Sequence, residues 1–70
     1  MSPDTPERLI TMANQIAMFF DSQRGDDPAA GVALHLRDFW DPQMRAALKQ
    51  HAEAGGEGLT PTARQAAARL

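Results

Sequence analysis

Four times along this chain a small residue with a side-chain oxygen stands directly before proline where a helical pattern begins: Thr5-Pro6, Asp27-Pro28, Asp41-Pro42 and Thr60-Pro61. Proline at the first helical position forfeits no hydrogen bond, and its fixed φ suits the helix. The preceding Thr or Asp oxygen can accept from the orphan amides of the first turn. This punctuation predicts four helices. Nothing alternates apolar and polar with period two for long enough to suggest a strand. The expected fold is all-α, a single helical domain over residues 1–70. It has three main helices and a weaker C-terminal one, with residues 1–4 disordered.

Seventy residues allow one domain, whose own core supplies only about 3–5 kcal/mol, so chains of this size often lean on disulfides, metals or partners. There is no cysteine, which removes the disulfide option and fits a reducing compartment. Support from a partner is therefore a serious option. The formal charge of −2 comes from seven basic and nine acidic residues spread along the chain, without the clustered basic face of a phosphate-backbone binder. The longest strongly apolar run, Ile16 to Phe20, is far too short for a bilayer, and no basic region precedes an apolar one at the N-terminus. The expectation is a cytoplasmic protein with neither nucleic acid nor membrane as a partner.

The first helix should run from Pro6 to about Asp21. At about 100° per residue, Phe19, Met12, Ile16, Leu9, Phe20, Ala13, Ala17 and Ile10 occupy roughly a half-circle, wider than an ordinary surface helix needs, so it requires cover on two sides. Met18 falls outside this arc with Thr11, Asn14 and Gln15. A polar loop over residues 21–27 leads to the second helix, Pro28 to Phe39 or Trp40, with Ala29, Val32, Ala33, Leu36, Phe39 and Trp40 on one face and Leu34 off it. Gly31 costs about 1 kcal/mol relative to alanine there, which suits a site of close backbone approach.

Proline disfavours the helical conformation of the residue before it, so Asp41 should be extended and the third helix should leave at an angle, from Pro42 to about Ala54. Its apolar side carries Met44, Ala47, Leu48 and His51, and Gly55-Gly56 stops it with a left-handed residue. The last helix, Pro61 to Leu70, presents Ala63, Ala66, Ala67 and Leu70. Alanine gives it helix propensity but little volume to bury, so it is expected to be the weakest element, docked closely or frayed.

Catalytic chemistry is hard to assemble from this inventory. His35 and His51 are the only histidines, and no cysteine or tight carboxylate cluster completes a zinc set around them. Ser2 and Ser22 have no histidine at a diagnostic spacing. Asp26-Asp27 reads as a solvated loop ending in a helix cap, and Gly55-Gly56-Glu57-Gly58 lacks the lysine, the preceding strand and the spacing of a phosphate loop.

The most distinctive stretch is His35-Leu36-Arg37-Asp38-Phe39-Trp40-Asp41-Pro42-Gln43-Met44-Arg45, a helix end, a corner and a helix start. Phe39 and Trp40 can be half of a small core, a hot-spot pair reaching into another protein, or both. Arginine beside tryptophan is a composition enriched at interfaces, while the ordinary place for Arg37, Asp38, Asp41 and Arg45 is a solvated rim. His35, Phe39, Trp40, Asp41, Pro42, Met44 and Arg45 are the candidate partner-interface residues, with no catalytic, cofactor-binding or metal residue assigned.

Met12-Ala13-Asn14-Gln15-Ile16-Ala17 with Phe19-Phe20, Gly31-Val32-Ala33 leading into His35-Leu36, the Phe39-Trp40-Asp41-Pro42-Gln43-Met44-Arg45 segment, and Gly55-Gly56, Gly58-Leu59 and Pro61 together resemble the delta subunit of NAD-dependent formate dehydrogenase. The resemblance covers nearly the whole chain. The Phe-Trp-Asp-Pro-x-Met-Arg segment is its specific part, and the alanine-rich end is not. It departs at Gln43, where a basic residue is expected, and in the last helix, where Thr62 and alanines replace bulkier side chains.

The resemblance implies a non-catalytic accessory or assembly subunit of a cytoplasmic molybdenum enzyme that oxidises formate and reduces NAD. The catalytic (alpha) subunit of that enzyme holds molybdopterin guanine dinucleotide, and iron–sulfur clusters and FMN lie in the large and partner subunits. The expected partner is that catalytic subunit. A second reading, from another class, is a free helical interaction or regulatory module with helix-turn-helix-like geometry around Asp41-Pro42; the charge balance opposes nucleic acid.

Overall fold

All four capping oxygens accept from the amide three residues further on. In the computed structural model, which describes residues 5–23 and 25–70, Thr5 receives Arg8 N–H at 3.4 Å, Asp27 receives Ala30 at 3.2 Å, Asp41 receives Met44 at 2.9 Å and Thr60 receives Ala63 at 3.3 Å. The helices they start are α1 (Pro6–Asp21), α2 (Pro28–Phe39), α3 (Pro42–Glu53) and α4 (Pro61–Ala68), with no strand among the described residues. The expected disorder of residues 1–4 and the conformation of Arg24 in the first loop lie outside the described residues.

The core is drawn from all four helices. Leu9, Ala13 and Ala17 of α1, Val32, Ala33 and Leu36 of α2, and Leu48 of α3 close around Ala63, Ala66 and Ala67 of α4, with Trp40 and Leu59 sealing the edges. Of the two outcomes expected for α4, close docking is the one observed: Ala63, Ala66 and Ala67 are fully buried, and α1 and α4 each pack against the other three helices. Small side chains are the reason. Interaxial distance falls with side-chain size, so an alanine face lets α4 approach its neighbours closely while their leucines and valine supply the volume.

Polar contacts tie down both ends of α4. Thr62 Oγ1 donates to Asp21 Oδ1 at 2.6 Å, Arg37 Nη2 donates to the Arg69 carbonyl at 2.6 Å, and Arg69 Nη1 pairs with Asp27 Oδ2 at 2.9 Å. Asn14, expected among outward residues, holds the connection before α4. Its Nδ2 donates to the Gly58 carbonyl at 2.8 Å, and its Oδ1 accepts from Thr60 N–H at 3.0 Å. The end of α3 is a Schellman turn, with Gly56 N–H donating to the His51 carbonyl at 2.9 Å and Gly55 N–H to that of Ala52 at 3.2 Å. Positive φ at Gly55 (124°) and Gly56 (65°) makes it possible.

Three further expectations need correction. Phe19 is 59% exposed because the buried line of α1 centres on Ala13, roughly 120° round the helix from it. Phe39 is 73% exposed; the chain leaves α2 at Trp40, whose ring takes the inward position, and Phe39, roughly 100° away, is left outside. Gly31 is approached by an aromatic ring rather than by backbone, since a Cβ there would lie 2.6 Å from Phe20 Cδ1.

Gly31→Ala should therefore destabilise the fold despite alanine's better helix propensity. Displacing the Phe20 ring costs about 1–3 kcal/mol against about 1 kcal/mol gained, and urea unfolding of the two proteins checks the sign. The Asp27 carboxyl is held below its ordinary value of 3.8 by the hydrogen bond from Arg69, then by that from Ala30 N–H and by the Arg69 charge. A lowered folded-state value stabilises above the ordinary one and loses that contribution as pH falls through it. The stability advantage of the native chain over Asp27→Asn should shrink in acid melts below about pH 4.

Candidate functional site

The corner between α2 and α3 is set by backbone chemistry. Trp40 N–H still donates to the Leu36 carbonyl at 2.9 Å, but Trp40 and Asp41 are extended, with ψ of 144° and 165°. The chain turns there, and Arg45 N–H closes the first turn of α3 on the Asp41 carbonyl at 3.1 Å. Across the corner Arg45 Nη1 donates to the Arg37 carbonyl at 2.9 Å. Arg37 and Arg45, expected as rim charges, thus each satisfy a carbonyl at a helix C-terminal end, where a cation is favoured by both hydrogen bonding and the helix dipole.

The seven candidate interface residues divide into two groups. Trp40, 6% exposed, belongs to the core; Met44 is half-buried against it, and Arg45 is half-buried and occupied. Phe39, Asp41 and Pro42 are exposed, and His35 is half-buried with its ring centroid 4.7 Å from that of Phe39. Asp41 spends one carboxylate oxygen on its cap. What reaches solvent at this corner is an aromatic ring backed by an imidazole, a proline face and a carboxylate.

From His35 the ring contacts continue onto α1. Its centroid lies 6.5 Å from that of Phe20, and Phe20 meets Phe19 edge-on at 5.3 Å and 86°. Between these rings opens a shallow groove of about 280 Å³ lined by Gln15, Ile16, Phe19, Phe20 and His35. Sequence reasoning had placed both phenylalanines inward. Two consecutive residues of a helix point about 100° apart, so a Phe-Phe pair can seldom bury both rings, and that was the available signal.

His51 stands apart from this surface. Its Nε2 lies 2.6 Å from the Glu57 carbonyl oxygen; a carbonyl can only accept, so Nε2 carries the proton and ties α3 to the loop beyond it. No three His, Cys, Asp or Glu side chains among the described residues could hold a metal ion together. The arrangement at the corner and groove offers apolar area, ring edges and a few polar groups.

A family model described as NADH-dependant formate dehydrogenase delta subunit FdsD matches residues 8–67. No curated protein and no solved structure matches the chain.

The two aromatics of the corner should separate cleanly in stability measurements. Trp40→Ala removes a buried ring at a cost of about 3–5 kcal/mol, comparable with the whole stability of so small a domain, and should leave much of the protein unfolded. Phe39→Ala should shift stability by no more than about 0.5 kcal/mol, because its ring already lies in water. Thermal and urea melts followed by circular dichroism test both.

Proposed function

Because the chain belongs to the delta-subunit family of NADH-dependent formate dehydrogenase, we propose that it works as a non-catalytic accessory subunit of a cytoplasmic, molybdenum-containing enzyme of that kind. On this reading it docks on the catalytic subunit and helps keep it stable and cofactor-loaded. Phe39, Pro42 and Asp41, with His35, make the contact. Trp40, Met44 and Arg45 hold the corner in the shape that presents them.

One observation carries the reading: Phe39 is 73% exposed at the end of a well-capped helix whose neighbouring arginines are both engaged internally. Phenylalanine is among the residue types enriched at protein interfaces relative to the rest of the surface. No helix among the described residues is long and apolar enough to cross a membrane.

Neither this groove nor the composition of the chain suits the cofactors of such an enzyme. Iron–sulfur clusters are ligated by cysteine thiolates, and there is no cysteine. A groove of about 280 Å³ with two polar lining residues falls below the range of pockets that enclose even drug-sized ligands, let alone a pterin dinucleotide or a flavin. The reading leaves those groups with the larger subunits.

Phe39→Ala should weaken co-purification with the catalytic subunit by about 2 kcal/mol or more while leaving the isolated chain folded. Omitting the chain during expression should lower the molybdenum content of the catalytic subunit. Unchanged affinity and unchanged molybdenum loading would overturn the proposal.

A further inference from the structure

We infer that the α1/α2 groove seats one large apolar side chain, from leucine, methionine or an aromatic residue, supplied by the same formate dehydrogenase subunit, with a basic residue of that subunit set against Asp38. The inference rests on the accessory-subunit reading and extends its contact from the corner onto α1. The groove is continuous with the corner through the His35 ring, which touches Phe39 on one side and Phe20 on the other.

Three observations define the occupant. The floor is closely packed: the Phe20 ring rests on Gly31, closer than any Cβ would allow, and Phe19 meets it edge-on. A floor already packed in this way suits a single anchoring side chain. Its 280 Å³ and two polar lining residues, Gln15 and His35, suit one apolar group better than a small molecule, which needs a larger enclosure and convergent polar contacts.

The third observation is charge. Asp38 is exposed, stands one helical turn from His35 and forms no ion pair among the described residues. A second copy of the chain, with its net charge of −2, is the poorer complement to this carboxylate. A basic side chain from a different subunit would satisfy the carboxylate instead.

The test uses the assembled complex. A photo-reactive benzoylphenylalanine is placed at Phe19 and, as a control, at exposed Gln65 on α4, and the cross-linked peptides are identified by mass spectrometry. Affinity for the larger subunit is measured for Phe19→Ser and Asp38→Lys, with circular dichroism melts confirming that both remain folded. Selective cross-linking from position 19 to the larger subunit, with a loss of about ten-fold or more in affinity for each variant, is expected.

If Phe39→Ala weakens assembly while Phe19→Ser and Asp38→Lys do not, the groove inference fails and the accessory-subunit reading stands. A cross-link joining two copies of the chain overturns the inference in favour of self-pairing. If the native chain never co-purifies with a formate dehydrogenase subunit, the underlying reading fails first.

Discussion

The contact on which the structure depends is the close approach of three buried alanines, Ala63, Ala66 and Ala67, to the helices around them. A short helix with so little side-chain volume cannot stabilise itself. Pressed against leucine and valine from its neighbours, it buries those larger side chains at close range. Most stabilisation of a helix of this length comes from tertiary packing rather than propensity. The polar ties at Thr62, Arg37 and Arg69 then act at its two ends, fixing where along its neighbours the helix comes to rest.

Much of this was legible in the chain because the information was local. A Thr or Asp before proline specifies a helix start through bonds within four residues, and all four starts formed where expected. The Gly55-Gly56 stop was equally readable, since only a residue tolerant of positive φ can close that turn. Less legible was whatever depended on which helix lies across from which. Periodicity gave α1 a half-circle of apolar residues but could not locate its centre, so Phe19 was placed inward. Asn14 looked like a solvent-facing residue because its two partners lie more than forty positions away. An alanine face is compatible with close docking or with fraying from composition alone, and which of the two holds appears only when the neighbours are known.

At the corner the distribution of charge decides what a partner could meet. Arg37 and Arg45 were candidates for the rim, and the fold spends both on carbonyls at helix ends. With both guanidinium groups tied to carbonyls, the groups left without an internal partner there are rings and carboxylates. The corner is thus stiffened by the groups that would otherwise have hydrated it. Its most exposed aromatic is presented on a frame whose own hydrogen bonds are already satisfied, and this stiffness supports the proposed role in assembly.

The Phe20 ring lying on Gly31 has a consequence for how the chain can change over time. Spacing between α1 and α2 is set there by one planar group and one missing methyl, so neither position is free to drift alone. A larger residue at 31 becomes tolerable only alongside a slimmer one at 20. Across descendants of this sequence the two sites should therefore be inherited as a matched pair, a correlation imposed by shape and independent of what the protein binds.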